Sequence, residues 1–143
     1  MTAVHFESYS DARAHLKDLL DAADEGRSAT VARDGQRVAV VHADRLRSLL
    51  SHSVPAPQAV PENNGWSLIM PWLPVAADGD SFDDAVEDLI DALREYAEDW
   101  NARLRLAPNH RENWGLVQFL DLSDDEQLKA WITGEVPRPR SVR

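Results

Sequence analysis

Arg13 and Arg33 are the residues whose type and setting best suit a polyanion. Arg13 closes the stretch Ser8-Tyr9-Ser10-Asp11-Ala12-Arg13, at the start of an expected helix, and Arg33 directly precedes the turn dipeptide Asp34-Gly35. Neither has an obvious carboxylate partner within its own element. A helix start offers unpaired N–H groups and a positive dipole end to a phosphate. A guanidinium placed there binds a phosphate, or the edge of a guanine, through paired hydrogen bonds. Ser8 and Ser10 stand at the same helix start as candidate N-caps. Lys17, one turn beyond Arg13, either extends the basic patch or pairs with Asp21 at i, i+4. An isolated arginine is usually an ordinary solvated charge, so the weight of this pair rests on the elements around it.

A second group of capable side chains is acidic. Asp84, Glu87, Asp88 and Asp91 fall at helical spacing within a strongly acidic stretch, residues 78–99. Such a face attracts a basic protein and can fill sites meant for RNA phosphates. The plainer reading is the wet face of an amphipathic helix. No spacing marks these acids as a metal cluster. All five tryptophans lie beyond residue 64. Most are assigned to core, and Trp72, between Pro71 and Pro74, is expected as an exposed interface anchor. The five histidines (5, 15, 42, 52 and 110) show no metal-ligand spacing, and there is no cysteine. There is no glycine-rich phosphate loop and no nucleophile elbow. The expectation is therefore a non-enzyme without a cofactor.

Composition narrows the setting. The chain has 143 residues and a net charge of −10. A chain so acidic does not bind nucleic acid by bulk charge, which needs a basic face. The charge is uneven, however. Residues 1–53 carry 7 Lys/Arg against 8 Asp/Glu, residues 54–107 carry 3 against 11, and residues 108–143 carry 5 against 6. The first stretch has room for a local basic patch, and the second favours a basic protein partner. The first thirty residues lack an apolar core, and no apolar run approaches a membrane span. A cytoplasmic protein with no membrane partner is expected.

The elements that must position these residues are legible in outline. Residues 4–6 read as a strand. Ser8-x-x-Asp11 resembles a capping box, and apolar residues at 12, 16, 19, 20 and 23 form one helical stripe ending near Gly26. Residues 28–33 and 36–42 read as a hairpin around Asp34-Gly35. Residues 43–51 read as a helix with Leu46, Leu49 and Leu50 inward. Residues 54–64 carry three prolines and no periodicity, which predicts a linker. Residues 65–77 read as a strand interrupted by prolines. Ser81 caps a long helix to about residue 105. Residues 110–120 are read as helix, and Ser123-x-x-Glu126 as a capping box before a helix ending at Gly134. Residues 135–143 read as a loose tail. The expected fold class is α+β, with a β-α-β-β-α module over residues 1–53 and a mostly helical region with one short strand over 65–134.

The first module resembles the Phd/YefM family of antitoxins. The likeness rests on Ser8-Tyr9-Ser10-Asp11-Ala12-Arg13, Leu16 and Leu19-Leu20, then Thr30-Val31-Ala32-Arg33, Val38-Ala39-Val40-Val41, Ala43-Asp44-Arg45-Leu46 and Leu49-Leu50. It implies a homodimer that binds operator DNA and represses its own operon. Arg13 and Arg33 would be the DNA contacts, with Ser8, Ser10 and Lys17 beside them. Residues 65–74 and 79–85 more weakly resemble part of the HicB antitoxin fold, in which a strand leads into a capped helix. No strand is expected before residue 65, where that fold would need one. The resemblance implies a type II antitoxin whose acidic second half grips a cognate toxin, commonly a ribonuclease with a basic cleft. Trp72, Asp84, Glu87, Asp88 and Asp91 would make that contact. The alternatives are a protein-interaction module without DNA binding, and a metal-dependent hydrolase using the acidic cluster.

Overall fold

A computed structural model describes residues 2–134; the tail expected at 135–143 lies outside the described residues. The fold class is α+β. The chain divides into two compact units, Met1–Leu46 and Arg47–Arg143.

The first unit orders its elements as β1 (Val4–Phe6), α1 (Tyr9–Ala14), α2 (Leu16–Asp24), β2 (Ala29–Arg33) and β3 (Gln36–Ala39), followed by the start of α3 (Ala43–Ser53). β1 pairs parallel with β2, and β2 pairs antiparallel with β3. The hairpin closes through Asp34 and Gly35, both at positive φ (49° and 76°), as a two-residue turn of this hand requires. Ser8 is extended, and its side chain accepts the Asp11 N–H at 3.1 Å. The single helix expected after it is broken at His15. There φ and ψ are −124° and 34°, Nδ1 donates to the Asp11 carbonyl, and the ring stacks on Phe6.

α2 buries Leu19, Ala22 and Ala23 against Ala29, with Val4, Phe6, Val31 and Val40 around them. Leu16 and Leu20, expected on the buried stripe, are half exposed. α3 corrects another expectation. Leu50 is buried, but Leu49 is 69% exposed, because the inward arc of this helix is narrower than its three leucines. Arg45 donates from Nη1 to the carbonyls of Ala23 and Asp24, closing the end of α2.

The second unit corrects the expected linker. Residues 58–62 form β4 (Gln58–Glu62), paired antiparallel with β5 (Gly65–Ile69), which pairs with β6 (Ala76–Gly79). Pro61 is tolerated because β4 is an edge strand and needs no second set of ladder bonds. Asn63 and Asn64, both at positive φ, turn the chain between β4 and β5. The region therefore holds a three-stranded sheet, where one interrupted strand was expected.

α4 (Phe82–Ala102) packs on β5 and β6, with the Ser81 hydroxyl accepting the Asp84 N–H. Gly79 makes this approach possible. A Cβ there would lie 2.3 Å from the Ala85 nitrogen. α5 (Trp114–Leu122) and α6 (Asp125–Thr133) complete a core in which Leu68, Val86, Leu89, Leu93, Val117, Phe119, Leu120 and Leu128 are fully buried. The cap of α6 is Asp124, paired reciprocally with Gln127, rather than Ser123 with Glu126. Ser123 instead donates to the Phe119 carbonyl. Tyr96 bonds to His110 Nδ1 and accepts from Asn113, while Trp100 donates to the His110 carbonyl. That assigns His110 a structural role.

Candidate functional site

The basic residues singled out in the sequence, Arg13, Lys17 and Arg33, all lie in the first unit. Arg13 lies on the last turn of α1, exposed, with no hydrogen bond or ion pair among the described residues. Arg33 ends β2, also exposed, with Nε 3.7 Å from Asp34 Oδ2, a weak surface contact. α1 packs against β2, so both arginines belong to adjoining elements. Lys17 is paired with Asp21 at 2.6 Å, the i, i+4 contact named among its two expected roles. The Asp21 hydrogen bond and charge raise the Lys17 pKa above its ordinary value. Ser8 is occupied as the cap, and Ser10 is exposed in the first turn. α1 has only six residues and carries Asp11 in its first turn. Attraction for a phosphate here therefore rests on the guanidinium groups more than on the helix dipole.

Arg37 is an exposed cation that sequence reasoning passed over. It opposes Ala32, whereas Arg33 opposes Gln36, so the two arginines project from opposite faces of the hairpin. The same unit leaves apolar side chains bare. Tyr9, Leu16, Leu20, Val38 and Val41 are each about half exposed or more.

The acidic residues of the second unit fall into two recesses. An open cleft of about 580 Å³ is lined by Glu62, Asp78, Asp80 and Asp84, with Trp66 and Ser67. The Ser67 hydroxyl lies 2.9 Å from Glu62 Oε2 and 2.7 Å from Asp78 Oδ1. A groove of about 330 Å³ between α4 and α6 is lined by Glu87, Asp91, Asp125 and Glu126 over Val86 and Ile90, with Lys129. The four acids expected as one patch are thus divided. Asp84 faces the first recess, Glu87 and Asp91 face the second, and Asp88 accepts the Asp78 N–H.

Trp72 is 38% exposed, and Trp114, which sequence reasoning assigned to core, is 48% exposed. Nothing in the local spacing of Trp114 marked it as an outward residue. Among the described residues, no group of three or more His, Cys, Asp or Glu could hold a metal ion. No helix among them is long and apolar enough to cross a membrane.

A family model described as PHD_like, antitoxin of toxin-antitoxin, RelE/RelB, TA system, matches residues 3–134. Among solved structures, the chain resembles an antitoxin of a toxin/antitoxin system from Syntrophomonas wolfei subsp. wolfei. The TM-score is 0.74 at 16% identity, covering 92% of this chain and 96% of that one. At that identity the likeness speaks for the fold. No curated protein matches the sequence.

Proposed function

The chain belongs to the PHD-like family of antitoxins of toxin-antitoxin systems, and from that premise we propose a division of labour between its two units. The first unit forms a homodimer, binds operator DNA and represses its own operon, in the manner of Phd/YefM proteins. The second binds and neutralises the cognate toxin, a ribonuclease with a basic cleft.

The observation that carries this reading is the contrast in surface. The first unit presents the free guanidinium of Arg13 and the loosely held one of Arg33, together with bare Leu16, Leu20, Val38 and Val41. A unit of this size is short of core, and a second copy would cover those side chains. Two arginine pairs related by the dimer axis suit a palindromic operator. The second unit presents acids over an apolar floor, where Val86 and Ile90 underlie Glu87 and Asp91. That combination complements a basic protein surface.

A second reading, a protein-interaction module without DNA binding, is favoured by the balance of residues 1–46. They hold 6 Lys/Arg against 8 Asp/Glu, and Asp21 already engages Lys17. A mobility shift of the operon's upstream DNA separates the two. Specific retardation by the purified chain, steeply weakened by salt, supports repression. Absence of any shift, alone or with toxin bound, leaves the interaction module.

A further inference from the structure

The two edges of the sheet in the second unit differ in how their backbone groups are disposed. Asn63 and Asn64, at φ 47° and 64°, form a two-residue turn, so the flanking pair Glu62 and Gly65 exchange both backbone bonds. Alternation then fixes the rest of the ladder. Gln58 and Val60 bond to Ile69 and Ser67, whereas Ala59 and Pro61 turn their backbone groups away from β5. The other side of β5 agrees. Met70 donates to the Val75 carbonyl across the β5–β6 pairing, which leaves Ser67 and Ile69 for β4.

All five residues of β4 are exposed, so this outward row meets solvent. Within the strand its one N–H is that of Ala59. Pro61 has none, and neither has Pro57, directly before the strand. At the opposite edge the same alternation turns Asp78 outward, and its N–H is taken by Asp88 of α4 at 3.4 Å. α4 packs along β6 itself.

An incoming strand draws on successive outward residues, here 57, 59 and 61, and two of the three lack the donor. The side chains would not prevent such pairing. Gln58-Ala59-Val60 carries no charge, and Val60 is 41% exposed. We propose that Pro57 and Pro61 close the β4 edge against strand addition, so that neither a second copy of the chain nor a strand of a partner extends this sheet. Partners of the second unit then meet its faces and helices, and its free edge does not template aggregation. This holds whether or not the unit binds a toxin.

The test uses the full chain, compared throughout with wild type, so that self-association through the first unit cancels. In the wild type, amide exchange should be fast at Ala59 and slow at Val60 and Glu62, whose N–H groups face β5. Pro61→Val restores the missing donor without touching a bond to β5. Expected is a further association as concentration rises, which doubles the weight-average mass in sedimentation and slows exchange at Ala59. Pro61→Ala restores the same donor with a smaller side chain and should act alike, which keeps the test open if Pro61→Val does not fold. Ala59→Pro added to Pro61→Val removes the central donor and should return the wild-type mass. Wild-type mass and fast Ala59 exchange in both single variants overturn the proposal. So does association that persists in the Ala59→Pro/Pro61→Val chain, which assigns it to the exposed side chain at position 61. Slow Ala59 exchange in the wild type overturns it as well, because the edge is then already paired.

Discussion

Met1–Leu46 centres its core on one leucine and three alanines, whereas Arg47–Arg143 fully buries Phe119, Leu68, Leu89, Leu93, Leu120 and Leu128. The first unit also leaves Leu16, Leu20 and Val38 about half exposed. Burial contributes about 25 cal/mol per Å² of apolar surface, and alanine supplies little of it. The second unit is thus equipped to stand on its own side chains. The first buries less and leaves more of its large apolar side chains uncovered. Charge follows the same division, with free arginines on the unit short of core and carboxylates ringing the unit rich in it. The two surfaces differ in kind: the first unit bares apolar side chains and Arg13 within a nearly balanced charge of 6 Lys/Arg against 8 Asp/Glu, and the second sets carboxylates over a packed floor.

The largest effect should come from the self-sufficient core. Phe119→Ala removes a ring with no exposure that meets Trp131 edge-on. Chemical denaturation should register a loss of about 3–5 kcal/mol. A loss well under 1 kcal/mol would mean that the second unit does not rest on this core.

Next in size is the bare face of the first unit. Leu20→Glu with Val38→Glu should convert a dimer into a monomer, seen by sedimentation at micromolar concentration. An unchanged sedimentation coefficient would place any self-association elsewhere. Arg13→Ala and Arg33→Ala should each cost about 1–3 kcal/mol of operator affinity per contact, with little change in melting temperature. Wild-type shifts from both variants would remove the DNA role from these residues. Smallest is Lys17→Ala. Lys17 and Asp21 form an exposed i, i+4 pair, so both stability and operator binding should move by less than about 0.5 kcal/mol.

Much of this architecture was readable locally. The Ser8 and Ser81 caps, the Asp34-Gly35 turn and the α4 stripe are short-range chemistry, and each stands where its residues place it. What escaped depended on distant contacts. Prolines at 55, 57 and 61 mark a spacer by composition, yet Pro61 sits on an edge strand opposite Trp66. The break between α1 and α2 falls at His15, whose ring stacks on Phe6, a distant contact that helical periodicity does not register. Ser123 and Asp124 are adjacent candidate caps, and the Ser123 hydroxyl is drawn to the Phe119 carbonyl, leaving Asp124 the cap. The acidic candidates were identified by helical spacing, but their division between two recesses depends on β6 and α6 flanking α4. Arg13 and Arg33 are exposed as expected.

The most direct test of the division of labour is toxin binding by the full chain carrying Glu87→Lys and Asp91→Lys, followed in real time beside wild type and the Arg13→Ala/Arg33→Ala variant. Expected is a slower association for the charge-reversed chain, most marked at low salt, and wild-type kinetics for the arginine variant. The contradicting result is the converse: wild-type association after charge reversal, and lost toxin binding once the two arginines are removed.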